Sequence, residues 1–201
     1  MMGKTHMVGG ALGGMSIITI TGTQNIGEIG VIMGTSLIGS LAPDLDHPKS
    51  KLSNANIITK LISMVISSFT SHRRATHTVW FSFIIGACGY LLGMAIFPLL
   101  NSLLGLLPIK IDNIDSLNMA LLCGVGMLAG ALSHIIFDTF NKEGIMWLHP
   151  ISKKRFSILP ITTSSTGEAI FAGITSVILL VWVAMSIGFG SLEVLKIFKI
   201  W

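Results

Sequence analysis

The sequence has few charged residues, since only 11% of its 201 residues are Asp, Glu, Lys or Arg. Soluble domains carry about a quarter, and 51% of this chain is hydrophobic, so an ordinary soluble domain is excluded. Intrinsic disorder is excluded by the same composition, because a disordered chain has little apolar surface. The two cysteines, Cys88 and Cys123, fall in apolar runs and are too few for a disulfide scaffold. A mean hydropathy of +0.79 instead indicates a protein that lies in lipid.

Five runs without Asp, Glu, Lys or Arg are predicted to be membrane segments, at residues 8–22, 29–42, 79–97, 117–137 and 169–190. The first two are shorter than the roughly 20 residues that cross a bilayer, and their small residues favour a closely packed hairpin. Pro98 is expected to end the third segment as a helix. The sequence therefore predicts one integral membrane domain over residues 1–201, an all-α polytopic bundle of about five transmembrane segments.

Residues 56–70 show a different pattern. Polar side chains recur there at spacings of four, three, four and three, at Asn56, Lys60, Ser63, Ser67 and Thr70. This periodicity is typical of one polar stripe on an amphipathic helix that is too short to span a bilayer. We expect the helix either to lie in the membrane interface or to pack on the end of the bundle.

The positive charge is concentrated on one side of the predicted bundle. If the five segments cross the membrane, ten of the 13 basic residues share a side: Lys4, Lys49, Lys51, Lys60, Arg73, Arg74, Lys142, Lys153, Lys154 and Arg155. The positive-inside rule makes this side cytoplasmic. The net charge of +4 is thereby explained without a nucleic-acid partner, and we expect none.

All six histidines and several acidic residues are predicted to lie on that same side. His134 and Asp138 are four apart, so on a helix they face one direction and could ligate one divalent ion. A structural His–Asp hydrogen bond explains this pair alone at least as well. Asp44 and Asp46 directly follow the second segment, where two close carboxylates require a cation, a basic neighbour or full solvation.

Together these signals predict a metal site with six candidate ligands: His6, Asp44, Asp46, His77, His134 and Asp138. Nitrogen and oxygen ligands without a thiolate suit Zn²⁺ best, with Mn²⁺, Fe or Mg²⁺ as alternatives and one or two ions bound. Glu168 opens the last segment, where its charge complements the helix dipole, although it could also reach the site.

Three stretches resemble the YdjM-type family, which is described as membrane-bound, metal-dependent hydrolases of bacterial inner membranes. They are LAPDLDHPKS at residues 41–50, HRRATHT at 72–78 and SHIIFD at 133–138. The resemblance extends from residue 6 to about residue 168, in the same order. By position it marks all six candidate ligands and adds His47, His72, Arg73 and Thr76 to the site.

The predicted function is a hydrolase in the bacterial inner membrane, with its metal site facing the cytoplasm and an ester or phosphoester as substrate. A membrane lipid is the natural candidate, because the site would lie at headgroup depth. Asp46 or Asp44 would accept a proton, and Arg73, Arg74 or Arg155 would stabilise charge on phosphate oxygens, with Asp46 and Arg73 as the first choices. The residues that would support the ligands or contact the substrate are His47, His72, Thr76, Arg155 and Glu168. A metal sensor or transporter, and a scaffold with a purely structural His–Asp cluster, are the alternatives.

Overall fold

The chain folds into six α-helices in a computed structural model that describes residues 1–47, 50, 52–69, 75–106 and 114–189. They are α1 (Gly3–Thr21), α2 (Ile26–Gly39), α3 (Ile57–Phe69), α4 (Val79–Leu104), α5 (Ser116–Asp138) and α6 (Thr166–Phe189). A short 3₁₀ helix, Pro43–Asp46, follows α2 and is called the aspartate turn below. The described residues contain isolated β-bridges but no strand, which confirms the predicted all-α class.

Four segments are long and apolar enough to cross a membrane. They are Ile26–Asp46, Val79–Leu104, Ser116–Asp138 and Thr166–Ser186. The first predicted segment, which lies in α1, is not among them, because the helix begins with Lys4, Thr5 and His6 and continues with several glycines. It packs against α2, α5 and α6. The described chain is thus a membrane bundle with four candidate spans, to which α1 and the short helix α3 are added.

The third predicted segment does not end at Pro98. Helix α4 continues past this residue to Leu104. Proline removes one backbone N–H from a helix, but an irregular segment in lipid would leave several backbone groups without partners, so continuing the helix costs less. The amide of Asn101 then donates to the carbonyl oxygen of Ile114 at 2.8 Å, which ties the end of α4 to the start of α5.

Helix ends place two of the predicted ligands. Thr78 is the N-cap of α4, and its hydroxyl accepts a hydrogen bond from the backbone N–H of Phe81 at 3.2 Å. The cap fixes the point where the helix begins, so His77 lies directly before its first turn. Asp138 is the last residue of α5, one helical turn after His134. Both ligands therefore lie at ends of helices that belong to the same end of the bundle.

Helix α5 lies at the centre of the bundle and contacts α1, α2 and α4. Close approach to α2 depends on glycine, because a Cβ atom on Gly39 would lie 2.3 Å from the carbonyl oxygen of Met127. A Cβ atom on Gly130 would lie 2.0 Å from the carbonyl oxygen of Ser36. Small residues let two membrane helices pack backbone to backbone. This contact brings the end of α2, and with it the aspartate turn, against the end of α5.

Replacing Gly39 with Ala is expected to destabilise the protein by about 1–3 kcal/mol, because the added methyl group cannot fit against α5. Gly34 is the matched control, since it lies on the same helix and a Cβ atom there would meet nothing within 4 Å. Thermal unfolding of both variants in detergent measures the difference. Equal midpoints for Gly39→Ala and Gly34→Ala would show that the α2–α5 contact is not tight.

Helix α3 has the predicted amphipathic character and nearly the predicted bounds. Ile57, Leu61, Met64 and Val65 are 50–69% exposed, whereas Ser63 of the polar stripe is buried. The helix contacts the aspartate turn. It therefore packs on the end of the bundle and turns its apolar side outward, which combines the two alternatives expected from the sequence.

Candidate metal centre

Five of the six predicted ligands meet at one end of the bundle. His6 comes from the start of α1, Asp44 from the aspartate turn, His77 from just before α4, and His134 and Asp138 from the end of α5. Their ligand atoms form two groups that share His134, and within each group all of these atoms lie within 4.8 Å of one another. We call these five residues the His/Asp cluster.

The distances between donor atoms match those around a single ion. The Nε2 atoms of His77 and His134 are 3.2 Å apart. Oδ1 of Asp44 lies 3.5 Å and 3.7 Å from these two nitrogens, and Oδ2 of Asp138 lies 3.6 Å and 3.8 Å from them. Ligands bound tetrahedrally to Zn²⁺ at 2.0–2.2 Å would be about 3.3–3.6 Å apart. Each of the two carboxylate oxygens therefore lies near the two nitrogens at about the spacing expected between ligands of one divalent ion.

The ring of His134 is oriented by the main chain of α2. Its Nδ1 atom lies 2.7 Å from the carbonyl oxygen of Ser40. A proton on Nδ1 is donated to this carbonyl, which leaves the lone pair on Nε2 directed into the cluster. Metal-bound histidines generally hold their second nitrogen in this way.

The ring of His77 is oriented by two side chains on its other edge. Nδ1 lies 3.0 Å from Oγ1 of Thr76 and 3.7 Å from Oδ2 of Asp46, and the Thr76 hydroxyl donates to the same carboxylate. The two nitrogens of an imidazole are on opposite edges, so Asp46 faces away from the point where Nε2 meets the cluster. Asp46 belongs to neither group of converging ligand atoms, although the sequence predicted it to be a ligand and a proton acceptor.

His6 is buried without a hydrogen bond. Neither of its ring nitrogens has a hydrogen-bond partner, and Nε2 lies 3.3 Å from Oδ1 of Asp138. The ring stacks on that of His134, with centroids 3.6 Å apart. Buried polar atoms are nearly always hydrogen-bonded, so a buried imidazole that makes no hydrogen bond, beside a carboxylate, is what a cation site is expected to contain.

A protein-family match covers nearly the whole chain, including the five residues of the cluster. The model of the YdjM inner membrane protein family matches residues 1–195. The chain belongs to this family. It is also similar to the uncharacterized protein YvsG of Bacillus subtilis (strain 168), with 24% identity over 176 residues, which cover 87% of this chain and 90% of YvsG. No solved structure matches the chain.

Glu168 has a structural position in this YdjM family protein. It lies in the first turn of α6, as the sequence predicted. Its carboxylate accepts hydrogen bonds from the hydroxyl of Thr5 at 2.8 Å and from the backbone N–H of Ser164 at 2.7 Å, and also from the backbone N–H of Met2. Glu168 therefore holds the start of α1 against α6 and positions His6, which follows Thr5.

The remaining predicted residues lie outside the cluster or outside the described chain. His47 ends the aspartate turn, where its backbone N–H donates to the carbonyl oxygen of Asp44 at 3.0 Å. Arg155 is exposed and donates to the main-chain carbonyl of Glu143 at 3.2 Å. His72 and Arg73, the latter predicted to be catalytic, lie outside the described residues.

Sequence reasoning did not anticipate three contacts of the cluster. Two are direct, from the carbonyl oxygen of Ser40 to His134 and from the α-amino group of Met1, which donates to Oδ1 of Asp138 at 2.8 Å; the third is indirect, because the hydroxyl of Thr5 donates to Glu168 beside the start of α1. A main-chain carbonyl carries no side-chain signature, so Ser40 could not be identified from its residue type. Thr5 could have been noticed only because it precedes His6.

Access to the cluster is restricted. The side chains of His77, His134 and Asp138 are 0–1% exposed, whereas that of Asp44 is 18% exposed. Buried side chains therefore separate most of the cluster from solvent, and Asp44 is the member that reaches the surface. A site with one partly exposed carboxylate among buried ligands can admit water or a substrate at that edge.

Proposed function

We propose that this protein is a metal-dependent hydrolase of the inner membrane that cleaves an ester or phosphoester bond. The convergence of the Nε2 atoms of His77 and His134 with carboxylate oxygens of Asp44 and Asp138 carries the proposal. In each ring the opposite nitrogen faces a protein group that fixes its orientation. A merely structural His–Asp pair would not require the rings of His77 and His134 to face each other through their Nε2 atoms.

The ligand set supports Zn²⁺ first, with Mn²⁺, Fe and Mg²⁺ as alternatives, because it consists of imidazole and carboxylate. A divalent ion bound here would supply Lewis acidity and would make water acidic enough to react near neutral pH. His6, Asp44, His77, His134 and Asp138 would hold it. They exceed the four ligands of a closed structural zinc site, so an open coordination position or a second ion fits them better.

The protein groups around the cluster have separate tasks in this proposal. Asp44 is the partly exposed carboxylate, so of the two aspartates predicted as proton acceptors it is the one that takes up the proton of an incoming water molecule. Asp46 and the Ser40 carbonyl hold the histidine rings in place. Burial of the three histidines keeps bulk water away from the rest of the cluster.

We place the site on the cytoplasmic side of the membrane. The support is the distribution of basic residues, since most of the Lys and Arg residues are predicted to lie on the side of the cluster. A cysteine introduced at Lys153, which is exposed, should react with an impermeant reagent only from the cytoplasmic side of sealed vesicles. Reaction from the opposite side alone would reverse the orientation.

The activity itself is tested on purified protein in detergent. Metal content is measured by elemental analysis, and hydrolysis is assayed on a panel of phosphoester and carboxyl-ester lipids and their water-soluble analogues. We expect at least one bound ion per chain, loss of activity after chelation and recovery on addition of the same metal. A metallated protein that cleaves nothing in the panel would favour the sensor, and a protein that never retains metal would favour the scaffold.

A further inference from the structure

A second candidate site lies in the connection between α5 and α6. The connection is fixed to the end of α5 by backbone hydrogen bonds, from the N–H of Ile158 to the carbonyl oxygen of Thr139 at 2.8 Å and from the N–H of Lys142 to that of Ile161 at 2.9 Å. Ile145 and Phe156 form an antiparallel bridge within it. These contacts make it a defined surface against the end of the bundle.

A pocket of about 620 Å³ opens in this surface. Its walls are mainly apolar and include Trp147, Leu148, Phe156 and Ile158. The volume lies within the range of roughly 300–1,000 Å³ that is usual for sites of small organic ligands. A largely apolar pocket of this size suits a flexible hydrocarbon chain.

The pocket is adjacent to the His/Asp cluster along the chain. Thr139, which lines it, directly follows Asp138 at the end of α5. The indole N–H of Trp147 donates to the hydroxyl of Thr139 at 3.0 Å, so the aromatic wall is attached to the helix that carries two ligands of the cluster. A ligand in the pocket would therefore lie at the end of the bundle where the cluster is found.

Two basic side chains stand at the pocket, and none of the described residues that line it is acidic. Both Lys154 and Arg155 line the pocket and are exposed. The ammonium group of Lys154 lies 5.3 Å from the centroid of the Phe156 ring, and Arg155 donates to a main-chain carbonyl. Among the residues described, neither of them forms a salt bridge with a carboxylate. The charge is therefore available to an anionic ligand.

Apolar side chains around the pocket point to a membrane rather than to water. Ile158, which lines the pocket, is 66% exposed, and Ile151, three residues before Lys154 along the chain, is 77% exposed. Basic residues interspersed with exposed apolar side chains are typical of surfaces that lie among anionic headgroups.

We propose that this pocket binds an anionic glycerophospholipid, with its phosphate at Lys154 and Arg155 and part of an acyl chain against Trp147 and Ile158. The inference rests on the proposed function, because it names the substrate class that the pocket would present to the His/Asp cluster. The binding step requires neither metal nor turnover, so it is measured independently of the reaction.

Native mass spectrometry of the detergent-purified protein, titrated with phosphatidylglycerol and phosphatidylcholine in competition, tests the proposal. The wild-type protein should prefer phosphatidylglycerol. The double variant Lys154→Gln/Arg155→Gln should lose roughly 30-fold in affinity for it, about fivefold for each basic residue near an anionic headgroup. The matched control is Lys142→Gln/Lys153→Gln, which removes the same charge from exposed positions of this connection that do not line the pocket.

Ile158→Asn tests the apolar wall, because it should weaken binding of both lipids while leaving the charge unchanged. Inorganic phosphate, which lacks the acyl chain, should not compete. Equal affinity for the two lipids, or equal losses in the pocket and control double variants, would overturn the inference. If the lipid preference holds in a protein that shows no hydrolysis, the proposed function fails and the binding site stands.

Discussion

Replacing Asp138 with Asn should abolish tight metal binding and, with it, hydrolysis. The side chain keeps its size but loses the charge that Oδ2 presents 3.6 Å and 3.8 Å from the Nε2 atoms of His77 and His134. Loss of an outer hydrogen-bond partner costs about 10–100-fold in metal affinity, and loss of a carboxylate ligand should cost more. Metal content by elemental analysis and affinity by competition with a chelating dye measure the effect.

Asp115→Asn is the matched control for this substitution. Asp115 is the N-cap of α5, at the opposite end of the same helix, and Asn is an equally good cap residue. We expect the control to retain metal and thermal stability. If Asp138→Asn retains as much metal as the control, Asp138 is not a ligand. If wild type and variant both lack metal and Asp138→Asn is less stable than the wild type, the cluster is structural.

The sequence predicted those parts of the site that depend on spacing along one element. His134 and Asp138 are four apart on an uninterrupted helix, so their common face follows from helical geometry. The sequence also predicted that His6, Asp44 and His77 lie near this pair. This prediction came from counting membrane crossings, which gives the side on which each segment ends without knowledge of side-chain contacts. The number of membrane crossings was harder to predict than the ends of the segments. Helix α1 is not apolar enough by composition to be a candidate span, and it still packs in the bundle.

Spacing could not assign the direction of an imidazole ring or of a carboxylate. Asp44 and Asp46 are separated by one residue, yet the aspartate turn directs Asp44 toward the Nε2 atoms and Asp46 toward Nδ1 of His77. The partner of His134 is a main-chain carbonyl, and its position depends on the close contact at Gly39 and Gly130. These features are set by tertiary packing, so residue type alone contains no signal for them.

The different surroundings of the two aspartates are the basis for proposing Asp44 as a ligand and Asp46 as an orienting group. A ligand must offer a lone pair to the point where the other donors converge, as Asp44 does at 3.5 Å and 3.7 Å from two nitrogens. Asp46 is buried, accepts a hydrogen bond from Thr76 and faces the far edge of the His77 ring. Carboxylates in that position raise the basicity of the imidazole and fix its tautomer. Their loss weakens metal binding without removing a ligand.

Replacing Asp46 with Asn should therefore lower metal affinity by about 10–100-fold and still allow full occupancy at high metal concentration. Thr76→Val breaks the hydrogen bond to the same carboxylate, so the two effects should be less than additive in a double-mutant cycle. Chelator competition measures the metal affinities. Nitrogen NMR of the histidine rings reports whether the proton leaves Nδ1 of His77, a change that a purely structural role of Asp46 would not produce. Asp46→Glu should recover part of the affinity. If the Asp46→Asn variant cannot be saturated with metal, as expected for Asp138→Asn, then Asp46 is a ligand and the orienting role is wrong. If the metal affinity of the variant equals that of the wild type, Asp46 acts on neither the metal nor His77.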